Sequence, residues 1–257
     1  MIGADAMNTA ADARAQFRAA VPAPTLVAAL FDWDGTLVDS RALLLGAWRD
    51  STLHVLGRSY PVTRAEEHAV FTLPGAQIWP ELARDEEQRL ALAASFQEAY
   101  DQHADELLAF PGVREMLEGL RDEGVSVAVV TSKAGRRYGP DASRAGLEGL
   151  IDVAVCAEDA ARAKPDPAPV LRALELLGVP GALAIMAGDT PVDMGAGAAA
   201  GTRTLGVAWG HAAAADLIAA GAEAVAQDPA ELLTIVLGGE RRPVAAPAEH
   251  AASGRVA

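Results

Sequence analysis

Apolar and polar positions fall into two regimes along this chain. Leu26 to Phe31 is an unbroken apolar run, which predicts a strand buried on both faces. From 40 to 108 the apolar residues recur at helical spacing, in Leu43–Leu56 and again in Leu90–Leu108, with breaks near Pro61, Pro74-Gly75 and Pro80. After Phe110-Pro111-Gly112 the pattern alternates. Helices are predicted over 113–122, 136–145, 168–177, 192–200 and 212–220. Strands are predicted at 125–130, 153–155, 183–187 and 202–208, with a final strand–helix pair to follow. Strands alternating with helices of about ten residues imply parallel crossover units. The predicted fold is therefore α/β: a doubly wound, Rossmann-like parallel sheet. Its core takes in 25–39 and 109–237, with a helical cap at 40–108 inserted after the first strand. Residues 1–24 read as a frayed or disordered N-terminal tail, and 238–257 as a disordered C-terminal one.

Composition narrows the function classes. The formal net charge is −14, and no Lys/Arg cluster tracks phosphates, so nucleic acid is excluded as a partner. No stretch is long and apolar enough to span a membrane, and the first 24 residues lack a signal-peptide core. Cys156 is the only cysteine, so no intrachain disulfide can form. A cytoplasmic protein is expected, as a monomer or homodimer. Only Lys133 and Lys164 supply lysine among 21 basic residues, so a retained lysine invites a chemical explanation.

In open parallel sheets, sites form beyond the carboxyl ends of the strands. There the chain places Asp32 and Asp34, then Thr131 and Ser132, then Lys164, then Asp189 and Asp193. Carboxylates converging on one point repel unless a cation lies among them, and an all-oxygen donor set suits Mg2+. A carboxylate can attack phosphorus to give an acyl phosphate. A second carboxylate two residues on can serve as acid and then base. Lysine, hydroxyl and loop amides balance the phosphoryl oxygens, and Gly35 permits close backbone approach. Each residue also has a plainer reading: a turn after a strand for Asp32 and Asp34, helix capping for Asp189 and Asp193, solvation for Lys164. The four strand ends taken together outweigh these.

Phe31-Asp32-Trp33-Asp34-Gly35-Thr36-Leu37-Val38-Asp39-Ser40 resembles the first motif of haloacid dehalogenase (HAD) superfamily phosphatases. Val129-Val130-Thr131-Ser132-Lys133, Lys164-Pro165-Asp166-Pro167 and Gly188-Asp189-Thr190-Pro191-Val192-Asp193 resemble the other three, in order. The resemblance implies Asp32 as nucleophile and Asp34 as acid/base. It implies Mg2+ held by Asp32, the Asp34 backbone carbonyl, Asp189 and Asp193. Thr131, Ser132, Lys164 and Gly35 would hold the phosphoryl group. The insert matches the small helical cap class, so the substrate would be a small phosphorylated metabolite. Overall similarity points toward phosphoglycolate phosphatases and the related inorganic pyrophosphatases. A pathway-specific biosynthetic phosphatase, a β-phosphoglucomutase-like phosphotransferase and a non-catalytic binding protein are the alternatives. A Schiff-base hydrolase would need a lysine within 40–108, and none is present. Trp33 and Ser132 depart from the usual motif residues. Lys133, the five histidines and cap arginines Arg41, Arg49, Arg58 and Arg64 are assigned structural or surface roles. Cys156 reads as a small core residue, and the loop at 72–77 as the one facing the site.

Overall fold

The computed structural model describes residues 25–73 and 75–238, with the Ala76 side chain outside it. The proposed tail at 1–24 and all but Gly238 of the one at 238–257 lie outside the described residues.

Six strands form one parallel sheet. They are β1 (Ala28–Phe31), β4 (Ser126–Val130), β5 (Val153–Val155), β6 (Ala184–Gly188), β7 (Arg203–Val207) and β8 (Ala224–Ala226), in spatial order β5-β4-β1-β6-β7-β8. The predicted α/β doubly wound architecture is the observed one. Alternation along the strands explains why it is wound on both faces. Ala29, Phe31, Val127, Val129, Ile185 and Ala187 point into one core. There they meet α5 (Val113–Asp122), α6 (Gly135–Arg144) and α10 (Pro229–Val236). Ala28, Leu30, Ala128, Val130, Ala184 and Met186 point into the other, against α7 (Ala168–Leu177) and α8 (Pro191–Ala199). A short α9 (Ala214–Ala219) covers the β7–β8 end.

Between β1 and α5 lie four helices: α1 (Arg41–Leu56), α2 (Arg64–Thr72), α3 (Gly75–Leu82) and α4 (Glu86–His103). Side-chain caps mark the starts of two of them. Thr63 and Glu66 form a reciprocal capping box on α2, and Asp85 accepts from the Gln88 amide on α4. Trp48, Tyr60, Trp79 and Phe96 build the centre of this layer, with the Trp48 ring centroid 5.9 Å from Tyr60, 5.6 Å from Trp79 and 5.3 Å from Phe96. The chain leaves and re-enters the α/β core through a two-residue antiparallel pair, β2 (Val38–Asp39) with β3 (Leu108–Ala109). This pair was not predicted. The apolar spacing of Leu107 and Leu108 suggested a helix to 108, whereas α4 stops at His103 and a single 3-10 turn, Ala104–Glu106, follows. Two-residue strands are too short to leave a period-2 signature.

Candidate active site

Three neighbouring strands set the frame. Phe31 pairs with Val129 on one side and Ala187 on the other, so β1, β4 and β6 end level with one another. Asp32, Thr131 and Asp189 follow those ends and emerge side by side. The order of strand addition also reverses here, since β4 and β5 lie to one side of β1 and β6 to β8 to the other.

Asp32, Asp189 and Asp193 each offer an oxygen within 4.8 Å of the others'. Lys164 Nζ stands among them, 2.7 Å from Asp32 Oδ1 and 2.6 Å from Asp193 Oδ1, and donates to the Val130 carbonyl at 3.0 Å. The other Asp193 oxygen accepts from Thr190 N at 3.0 Å and Thr190 Oγ1 at 2.6 Å. Asp193 therefore anchors the start of α8 and faces the cluster at once. Asp189 accepts from Thr36 Oγ1 at 3.1 Å and His211 N at 2.8 Å, and the His211 ring contacts it as well. Burial is the largest influence on Asp32 and raises its pKa well above the ordinary value; Lys164 opposes this, while Asp193 and Asp189 add to it. On Lys164 burial works against the charge, yet Asp193 and Asp32 carry the pKa above that of a free lysine. One fixed lysine faces three carboxylates. That surplus of buried negative charge, on oxygen donors alone, fits a divalent cation of the magnesium type.

Gly35 sits at φ +84°, and a Cβ there would land on the His211 ring and on Asp189. Here the turn requires glycine both for its dihedral and for its space. Asp34 does not join the three-carboxylate cluster through its side chain. Its Oδ1 lies 3.1 Å from Lys133 Nζ, within ion-pair range but without the alignment of a hydrogen bond.

Assigning Lys133 to the surface was wrong. The residue is 5% exposed. Its Nζ lies 2.6 Å from Asp141 Oδ2 and donates to Tyr100 Oη at 2.8 Å, while that hydroxyl donates to Asp141 at 2.5 Å. A core lysine, a core aspartate and a tyrosine of α4 thus form one buried network beside Asp34. The scarcity of lysine was the available signal, and it held for both lysines. Tyr100 and Asp141 left no such mark, because each sits among ordinary helical residues. His211 likewise gave no spacing cue; it reaches Asp189 only because the β7 end folds beside β6. Phe71 of α2 stacks on its ring at 3.7 Å.

A cavity of about 260 Å³ opens above the cluster. Asp32, Asp34, Thr131, Ser132 and Lys164 form its polar end. Trp48, Phe71, Trp79 and Phe96 contribute an apolar wall from the helical layer. Asp189 and Asp193 are fully buried and do not line it. Thr72, Leu73 and Gly75 do, so the 72–77 segment faces the site where it is described; Pro74 lies outside the described residues. Thr131 is buried, with its hydroxyl accepting from Lys133 N at 3.1 Å, while Ser132 is exposed. Arg41 and Arg49 pair with Glu67 at 2.9 and 2.7 Å, and Arg58 and Arg64 are exposed, in keeping with solvated roles. Cys156 is buried, as read from the sequence.

The chain is similar to known proteins in sequence and in fold. The family model for haloacid dehalogenase-like hydrolases matches residues 29–207. The chain is 31% identical to the pyrophosphatase PpaX of Bacillus cereus over 182 residues, 70% of this chain and 82% of the relative. It superposes on a hydrolase from Pseudomonas syringae with a TM-score of 0.72 at 28% identity, covering 82% of this chain and 97% of that one. A structure from Streptococcus pneumoniae, the haloacid dehalogenase-like family hydrolase SP0104, matches in fold with a TM-score of 0.71 at 22% identity, over 82% and 98% of the two chains. Site geometry and matched span lead to one assignment: this chain belongs to the haloacid dehalogenase-like hydrolases.

Proposed function

We propose that the protein is a magnesium-dependent phosphohydrolase that turns over a small phosphorylated metabolite through an aspartyl-phosphate on Asp32. The observation that carries this reading is Lys164 Nζ held between Asp32 and Asp193, with Asp189 completing the carboxylate cluster, beneath a cavity whose polar end Asp32 and Lys164 line. Asp32, Asp189, Asp193 and the Asp34 backbone carbonyl would hold the cation. When bound, it neutralises the carboxylates and the phosphoryl oxygens.

The chain's own residues divide the work as follows. An Asp32 oxygen attacks phosphorus, and the bond from phosphorus to the leaving oxygen breaks. Asp34 gives that oxygen its proton and then takes one from the water that cleaves the acyl phosphate. Lys164, Thr131, Ser132 and the backbone at Gly35 hold the phosphoryl oxygens. The four-helix layer acts as a cap that excludes water and selects the leaving group. Its aromatic wall supports an organic leaving group. Pyrophosphate is the second reading, supported by the 31% identical relative of that name.

A phosphate-release screen tests this. The panel would hold phosphoglycolate, pyrophosphate, sugar phosphates and nucleotides, with and without Mg2+, beside Asp32→Asn. Release from a few small substrates is expected, lost without Mg2+ and lost by several orders of magnitude in the variant. Substantial Mg2+-dependent turnover by Asp32→Asn would overturn the nucleophile assignment.

A further inference from the structure

Four cationic side chains line the cavity: Lys133, Lys164, Arg136 and Arg137. The two lysines are fully engaged with Asp32, Asp193, Asp34 and Asp141. Arg137, in the first turn of α6, is different. Among the described residues its side chain makes no hydrogen bond and no ion pair, and its Nη1 is sealed from solvent without an acceptor. Its guanidinium carbon lies 5.3 Å from the Phe96 ring centroid and 5.8 Å from that of Tyr100, both on α4. Both distances are within cation–π range. A ring face accepts no conventional hydrogen bond, so the guanidinium donors remain without an acceptor among the described residues.

A second donor points to the same conclusion. Trp79 Nε1 is also buried without an acceptor, and the Trp79 ring lies 6.0 Å from that of Phe96. Buried donors are ordinarily satisfied. Two orphans bordering one ring, in the lining of one cavity, mark where acceptor oxygens are missing. The surrounding charges agree. Asp34 and Asp141 act on Arg137, but Lys133 already takes both, and burial together with Arg136 works against the Arg137 charge.

We propose that Arg137, assisted by Trp79, receives a second anionic group on the leaving portion of the substrate. The substrate class is then a phosphate ester or anhydride carrying a further carboxylate or phosphate, with its body along the aromatic wall. This rests on the phosphohydrolase reading above. It makes Arg137 a specificity residue supplied by the α/β core, while the aromatic surface it works with comes from the helical layer.

The test measures binding, so it does not depend on turnover. In the Asp32→Asn background with Mg2+, calorimetric affinities would be compared for phosphoglycolate and 3-phosphoglycerate, for their carboxamides, and for pyrophosphate. Each would be measured with Arg137, Arg137→Lys and Arg137→Gln, after circular dichroism shows the variants folded. At least one carboxylate should bind roughly 10- to 100-fold more tightly than its amide, a preference lost in Arg137→Gln and partly kept in Arg137→Lys. If only pyrophosphate shows the Arg137-dependent gain, the second anion is a phosphate. Equal weakening of acid and amide, no Arg137 effect on any probe, pyrophosphate included, or no binding by any probe would each overturn the proposal. Discrimination by Arg137 in a protein whose unmodified form releases no phosphate from any ester would overturn the phosphohydrolase reading alone.

Discussion

At the scale of single residues, the site is organised by what each charge has for a neighbour. Lys164 and Lys133 are both buried, and each is pinned between carboxylates from different parts of the chain. A buried ion pair contributes little over an apolar substitute, but breaking it strands its partner. Lys133→Met should therefore destabilise the fold by roughly 3 to 5 kcal/mol, because Asp141 is left buried with only Tyr100 and a 3.4 Å contact to Arg144. Urea denaturation measures this directly. A loss below about 1 kcal/mol would mean that Asp141 finds water or another partner at little cost. The two lysines also show how far residue type alone can be read. Scarcity marked both, and Lys133 closes the second of the four motifs, but only Lys164 was given a role in the site, and Lys133 was misplaced.

At the scale of elements, the helical layer has its own small core around Trp48. That ring meets Tyr60, Trp79 and Phe96 from three other segments. Trp48→Ala removes the shared partner of all three and leaves a cavity that neighbouring rings cannot fill. A cost of about 3 to 5 kcal/mol is expected, read as a lower urea midpoint. Because Trp48 also lines the active-site cavity, KM should rise with it. A variant with unchanged stability and raised KM would show that the ring serves the substrate rather than the layer. Helix and strand existence was legible throughout the α/β core, since α5 and β5 fall on the predicted residues. The β2–β3 pair was not, because its pairing joins residues about 70 apart and rests on two residues a side.

At the scale of the whole molecule, the carboxylate cluster couples stability to metal and pH. Burial and the neighbouring aspartates raise the Asp32 pKa well above its ordinary value. The native state then binds a proton more tightly than the unfolded chain does. Metal-free stability attributable to Asp32 is present below the ordinary carboxyl pKa and falls as pH rises through the raised one. On the proposed reading, bound Mg2+ would favour the ionised form and reverse this. The rise in Tm on adding Mg2+ should therefore be larger at pH 8 than at pH 5, and chelation should abolish the difference. A Mg2+ effect independent of pH would place the cation away from Asp32.

The sequence by itself determined the class of fold and the ends of the strands, because both follow from local periodicity and from which residue comes next. Four strand ends carrying Asp32, Asp34, Thr131, Lys164, Asp189 and Asp193 needed no coordinates to be found. Tertiary structure alone decided what surrounds them. Tyr100 reaches Lys133 from 33 residues away, and Phe71 of α2 reaches His211 across the gap between helical layer and sheet. Arg137 meets Phe96 and Tyr100 only because α4 packs over it. Such relations depend on how two layers close on one another, and no spacing along one chain encodes that distance.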